Sequence, residues 1–178
     1  MVLAMMLVAI GTPSARAKAP ATASQPAVAR IAPARPDSPG SVAHPDFSGR
    51  WTLDMKRSEF GSLPGGKPLA RTDTITHREP DIGQVLFLKN AASLDTAVYR
   101  YRTTGETTHS TIDGRDVQSV TRWDGSTLVL DSKTKLMIFD VTLSERWELS
   151  PNRDTLKMTR HVKSPIGAGD QRLIFARR

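Results

Sequence analysis

The run Met137-Ile138-Phe139-Asp140-Val141-Thr142-Leu143-Ser144-Glu145-Arg146-Trp147-Glu148-Leu149, followed by Ser150-Pro151-Asn152-Arg153-Asp154 and then Thr155-Leu156-Lys157-Met158-Thr159-Arg160-His161-Val162, decides the fold. Every second residue of the first part forms an apolar row, interrupted at Glu145. The row resumes after the turn as Leu156, Met158, Arg160 and Val162. Period-2 patterning broken by a cluster of turn formers reads as two antiparallel strands. Folding the turn back sets Leu149 against Leu156, Trp147 against Met158, Glu145 against Arg160 and Leu143 against Val162. The two charges of an otherwise apolar row therefore face each other. At ~3.3 Å per residue a straight strand over 137–149 is ~40 Å long. A bend or bulge near residues 140–144, or a break around Leu136, is expected.

Working outward, the same grammar repeats. Strands are expected over 49–54, 71–77, 84–89, 96–102, 107–112, 117–123, 127–131 and 171–176, besides the hairpin itself. Asp113-Gly114 and Asp124-Gly125 are strong hairpin turns. Residues 84–89 (Gln84-Val85-Leu86-Phe87-Leu88-Lys89) are apolar on both faces and are expected to be covered on both. No window carries a useful amphipathic helical period. The fold class is all-β: a single antiparallel up-and-down β-barrel of about 8–10 strands, since a long meander removes its exposed edges by closing. A two-sheet sandwich is the alternative.

The chain has 178 residues and no cysteine. Disulfides, thiolate metal sites and cysteine nucleophiles are thereby excluded. Residues 2–10 are an apolar run too short to span a bilayer, and Ala15-Arg16-Ala17 fits a signal peptidase site. Residues 1–17 are accordingly read as a signal peptide, although no Lys or Arg precedes the apolar run. Residues 18–45 are rich in Ala, Pro and Ser, with Pro20, Pro26, Pro33, Pro36, Pro39 and Pro45, and read as a disordered linker. Residues 46–178 are the domain. The expected location is periplasmic or secreted. Net charge is +7. Arg16, Lys18, Arg30 and Arg35 precede the domain against one acid, Asp37, so the domain's surplus is mild. No basic block marks a nucleic-acid surface.

At Phe47-Ser48-Gly49-Arg50-Trp51 a family pattern enters. Gly-x-Trp on the first strand of a meander domain resembles the lipocalin/calycin group. The longer set includes Ser58-Glu59-Phe60-Gly61, Trp123-Asp124-Gly125 with Leu128, Arg146-Trp147-Glu148-Leu149-Ser150, and Arg160-His161 with Ser164-Pro165. It looks like a group of uncharacterised bacterial secreted proteins and covers most of 46–178. The resemblance implies a lipocalin-like barrel and no established activity. It further implies that Gly49 and Trp51 close one barrel end, with a cation from Arg172 or Arg177 stacked on Trp51. The other lipocalin signature motifs, the disulfide and the C-terminal helix are not visible.

Candidate ligand-binding residues are Glu145, Arg160, Trp147, Tyr99, Tyr101, Trp123 and Phe139, all on rows able to point inward. Small pockets are mostly apolar with a few polar anchors. A buried ion pair also serves as structural glue, and ordinary packing accounts for each aromatic. His77, His109 and His161 lie on strands without tight ligand spacing, and no metal site is expected. No Gly-x-Ser-x-Gly elbow or phosphate-cradling loop occurs, so neither an enzyme nor a cofactor is expected. The expected function is binding of a small apolar or amphipathic ligand by a monomer without a membrane span or nucleic-acid partner. The alternative is a cell-envelope or extracellular interaction module with a packed interior.

Overall fold

A computed structural model describes residues 44–61, 67–165 and 167–178. The expected signal peptide over 1–17, and all but the last two residues of the segment 18–45, lie outside the described residues. Ten strands follow: β1 (Gly49–Leu53), β2 (Ala70–Arg78), β3 (Asp81–Lys89), β4 (Leu94–Arg102), β5 (Thr107–Ile112), β6 (Arg115–Asp124), β7 (Thr127–Leu136), β8 (Phe139–Leu149), β9 (Thr155–Ser164) and β10 (Gly167–Arg177). They form one antiparallel sheet in the order β4-β3-β2-β1-β10-β9-β8-β7-β6-β5. Sequence neighbours pair throughout, and β1 pairs with β10. At the seam between the two ends of that order, the Arg100 amide donates to Ser110 Oγ at 3.0 Å. The result is a nearly closed barrel with no helix among the described residues.

The register of the deciding hairpin is the expected one. Leu143 pairs with Val162, Glu145 with Arg160, Trp147 with Met158 and Leu149 with Leu156. The break falls at Leu136. Residues 127–136 make one strand, and Leu136 pairs with Phe139 across a two-residue turn of Met137 and Ile138. The strand expected over 127–131 is therefore five residues longer, through Lys133 and Lys135. Both lysines occupy exposed positions of a strand that still alternates, ending on buried Leu136.

β3 corrects a second expectation. Ile82, Gln84 and Leu86 are buried, whereas Phe87 is 42% exposed. In a single-layer barrel the outer side of this strand meets water, so its apolar run is covered on one face only.

The pleat sends alternate side chains inward. Phe47, Trp51, Trp147, Leu128, Leu156, Met158 and Phe175 are all fully buried and belong to one apolar cluster. Leu136 and Val141, with Val162 against them, form a smaller cluster beneath the β7–β8 turn. Because neighbouring strands are antiparallel, the β1 start and the β2–β3, β6–β7 and β8–β9 turns share one end of the barrel. The β3–β4, β5–β6, β7–β8 and β9–β10 turns share the other.

Candidate functional site in the barrel interior

The inward rows carry more polarity than a packing core needs. Arg71, Asp73, Gln84 and Glu145 are each at most 5% exposed, and Thr121 and Ser119 are as buried. On β2, Arg71 and Asp73 alternate with Thr72 and Thr74, so the charged row is the inner one. Arg71 donates Nε to Asp73 Oδ1 at 2.8 Å and Nη2 to Oδ2 at 2.7 Å. Its guanidinium lies 5.1 Å from the Phe175 ring centre. Gln84 Nε2 also donates to Asp73 Oδ2, at 2.7 Å, and Gln84 Oε1 accepts from the Tyr101 hydroxyl at 3.1 Å.

The second half of the cluster is the pair found in the sequence. Arg160 donates Nε to Glu145 Oε1 at 2.6 Å and places Nη2 on the same oxygen. Trp147 Nε1 donates to Glu145 Oε2 at 3.3 Å. Tyr101 joins the halves, meeting Trp147 edge-on at 6.0 Å and stacking parallel to Tyr99 at 5.9 Å. The chain of contacts thus runs Arg71, Asp73, Gln84, Tyr101, Trp147, Glu145, Arg160. Two cations and two carboxylates leave it without net charge.

Electrostatics fix the protonation of this interior. Burial opposes the Arg71 charge, but the charge and hydrogen bonds of Asp73 together with the Glu145 charge outweigh it, so the guanidinium holds its proton more tightly than usual. Burial drives both tyrosine hydroxyls upward, Tyr101 well above its ordinary range, with the Glu145 charge adding to the effect. Both tyrosines are therefore neutral donors. Two hydroxyls have no partner: the Tyr99 hydroxyl and Thr121 Oγ1 are buried without a hydrogen bond. Buried polar groups are nearly always paired, so such orphans call for an explanation.

Five of the sequence-derived residues, Glu145, Arg160, Trp147, Tyr99 and Tyr101, come together here. Two do not. Trp123 stands on the inward row of β6 but at the barrel end, stacked on His44 at 4.2 Å and on Phe47 at 5.9 Å. Its Nε1 donates to Glu79 Oε1 at 2.9 Å. His44, read from the sequence as linker, thus packs on the barrel. Phe139 opens β8 beside the apolar turn and is 39% exposed, which takes it away from the interior. The sequence reading missed Arg71, Asp73 and Gln84. The signal was the alternation Arg71, Asp73, Ile75 opposite three threonines, in which the charged row is the buried one.

The same end holds the Gly-x-Trp element. Trp51 is fully buried, donates Nε1 to the Phe47 carbonyl at 2.9 Å, and carries the Arg177 guanidinium 4.4 Å above its ring. Arg172 pairs instead with Glu59 outside the barrel. Gly49 adopts φ +143, and a Cβ there would meet Arg177 Nη1 at 2.8 Å. Glycine therefore lets the arginine cross to the ring.

A groove of about 450 Å³ lies chiefly on the outward rows of β8, β9 and β10, bordered by Glu59, Arg146, Thr159, Arg160, His161 and Arg172. Among the described residues no group of three or more His, Asp or Glu side chains is placed to hold a metal ion. His77, His109 and His161 stand apart, each beside its own carboxylate. No described helix is long and apolar enough to cross a membrane.

No protein-family model and no curated protein matches the chain. Solved structures do. A secretory abundant heat soluble protein from Ramazzottius varieornatus superposes with a TM-score of 0.54 at 13% identity, over 74% of this chain and 94% of that one. Zebrafish ileal bile acid-binding protein, complexed with cholic acid, gives 0.52 at 12% identity, over 74% and 98%. Apo lipid binding protein 8 of Caenorhabditis elegans gives 0.51 at 14% identity, over 74% and 95%. At such identities the likeness is one of fold, and it agrees with the lipocalin-like barrel implied by Gly49 and Trp51.

Proposed function

We propose that the barrel binds a small apolar or amphipathic molecule, whose polar end meets the interior cluster and whose apolar part lies against Tyr99, Tyr101 and Trp147. The observation that carries this reading is the Tyr99 hydroxyl: a buried donor without an acceptor, within the electrostatic reach of Arg71, Asp73, Glu145 and Arg160. A ligand carbonyl, hydroxyl or carboxylate oxygen supplies the missing acceptor. Since the cluster carries no net charge, it selects for an acceptor rather than for a charge. The structural neighbours named for bile acid and lipid binding are in keeping with such a ligand. We place the protein in the periplasm or outside the cell, on the leader-like pattern of residues 1–17 and the absence of cysteine.

Titration with 1-anilinonaphthalene-8-sulfonate, alongside native mass spectrometry of the exported protein, tests the reading. Glu145→Gln and Arg160→Met are expected to weaken probe binding at least about tenfold while the cooperative unfolding transition persists. If both variants lose the fold and wild type binds neither probe nor co-purifying ligand, the pair is structural glue in a packed interior. That result supports the interaction module in place of the binder.

A further inference from the structure

Beyond the interior, one end of the barrel has an unusual surface. Leu69, Leu94, Met137, Ile138 and Phe139 are among the exposed large apolar residues, and Met137 and Ile138 exceed 80% exposure. All five sit at the end opposite Trp51. Leu69 and Leu94 flank Lys89, through the Leu69 amide bond to the Lys89 carbonyl and the Lys89–Leu94 pairing. Met137 and Ile138 are the tip of the β7–β8 hairpin.

This tip disobeys the local rules of turns. Met137 takes φ +56 at the first position of a two-residue turn, where glycine is the favoured residue. A non-glycine residue in that region costs free energy, and two bulky apolar side chains in water add to the penalty. Such a local conflict marks a surface kept for something other than folding.

The charge behind the tip indicates the partner. Lys133 and Lys163 both pair with Thr142, one from each side, and so flank a single position on the outer wall. Neither forms an ion pair among the described residues. Asp140 pairs with Lys135 at 2.9 Å and also lies within the electrostatic reach of Lys133, so the three lysines of this wall outnumber its one paired acid. Lys133 lies four residues from Met137, ~13 Å along the strand. An apolar tip sunk ~5–10 Å into a bilayer interface leaves that position at the lipid headgroups, within the ~8–10 Å over which their charge acts.

We propose that this end docks on an anionic phospholipid bilayer, with Met137 and Ile138 inserted and Lys133 and Lys163 facing the headgroups. A convex two-residue tip offers little flat area for a second copy, and a second copy would bring the same lysines together. The proposal does not depend on interior ligand binding.

The test is co-sedimentation of the full chain with vesicles of phosphatidylcholine alone and of phosphatidylcholine with phosphatidylglycerol, so that residues 1–43 contribute equally to every comparison. Wild type is expected to bind the anionic vesicles and to be released by salt. Met137→Gly with Ile138→Ser, which suits the turn and keeps or raises Tm, is expected to lower binding at least about tenfold, as is Lys133→Glu with Lys163→Glu. Ile138→Trp is expected to show blue-shifted emission on the anionic vesicles. Anilinonaphthalene titration of the turn variant reports interior binding separately, so failure of one reading leaves the other standing. Equal binding to both vesicle types, unchanged binding of the turn variant, or self-association abolished by that variant without vesicle binding would each overturn the proposal.

Discussion

Arg71 holds Asp73 from two residues away on the same strand, through two hydrogen bonds of 2.8 and 2.7 Å, with both side chains buried. Removing one partner strands the other charge, which costs about 3–5 kcal/mol, whereas replacing both by apolar residues of similar size is often close to neutral. Arg71→Met and Asp73→Asn are each expected to destabilise by about that amount. The double variant Arg71→Met with Asp73→Leu is expected within about 1–2 kcal/mol of wild type. Urea unfolding of the three chains measures this, and single variants as stable as wild type would refute a charged, buried pair.

Tyr99 and Tyr101 stack in parallel yet stand in opposite hydrogen-bonding situations. Tyr101 satisfies Gln84, and Tyr99 satisfies nothing. Tyr101→Phe leaves Gln84 Oε1 buried without a donor and is expected to cost about 1–3 kcal/mol. Tyr99→Phe removes an orphan and is expected to leave stability unchanged or raise it by up to about 1 kcal/mol. Ligand affinity is expected to move the other way, with Tyr99→Phe weakening the bound probe by about two- to tenfold. Thermal melts and probe titrations on both variants separate the effects. Equal destabilisation by both substitutions would remove the distinction.

Arg177 and Arg172 lie five residues apart on β10 and do unlike work. Arg177 covers Trp51 and also donates to the Ser48 and Arg153 carbonyls at 2.7 and 2.8 Å. Arg177→Ala is expected to cost about 1–2 kcal/mol through the lost cation–ring contact and its hydrogen bonds. Arg172 pairs with Glu59 on the exposed wall, so Arg172→Ala is expected to cost less than about 1 kcal/mol. Chemical denaturation of the two variants measures the order, and its reversal would show that the ring contact contributes little.

The strand pattern was legible because period-2 alternation survives wherever one face is buried. Glu145 and Arg160 could be paired from the sequence alone, since turn residues 150–154 set their register and the apolar row around them fixed the face. Arg71 and Asp73 escaped notice for the converse reason. On β2 the outer row is threonine, a good strand former, and the inner row holds one apolar residue, Ile75, so periodicity does not mark the buried face. Their partners Gln84 and Phe175 lie on other strands, and such three-dimensional pairings leave no trace in local periodicity. The choice between Arg172 and Arg177 was open for a similar reason. Both are cations near the C-terminus, and only the β1–β10 register, with Trp51 opposite Arg177, separates them. Phe139 and the tip beside it were misplaced because an apolar turn looks like strand.

Glu79 gathers the closed end of the barrel: its carboxylate accepts from His77 Nε2 at 3.0 Å, Trp123 Nε1 at 2.9 Å and the Thr103 hydroxyl. Burial alone would raise its pKa, but these three donors outweigh burial and hold the carboxyl below the ordinary glutamate range. A carboxylate lowered in the native state stabilises the fold fully above its unfolded value of about 4.3, and the contribution fades as pH falls through the lowered native value. Glu79→Gln is therefore expected to narrow the stability gap to wild type as pH drops from neutrality to about 3. Asp46, also lowered and facing His77, titrates in both chains. Urea unfolding across that range, followed by tryptophan emission, measures the gap. A gap that stays constant with pH would show that the three donors do not favour the charged form.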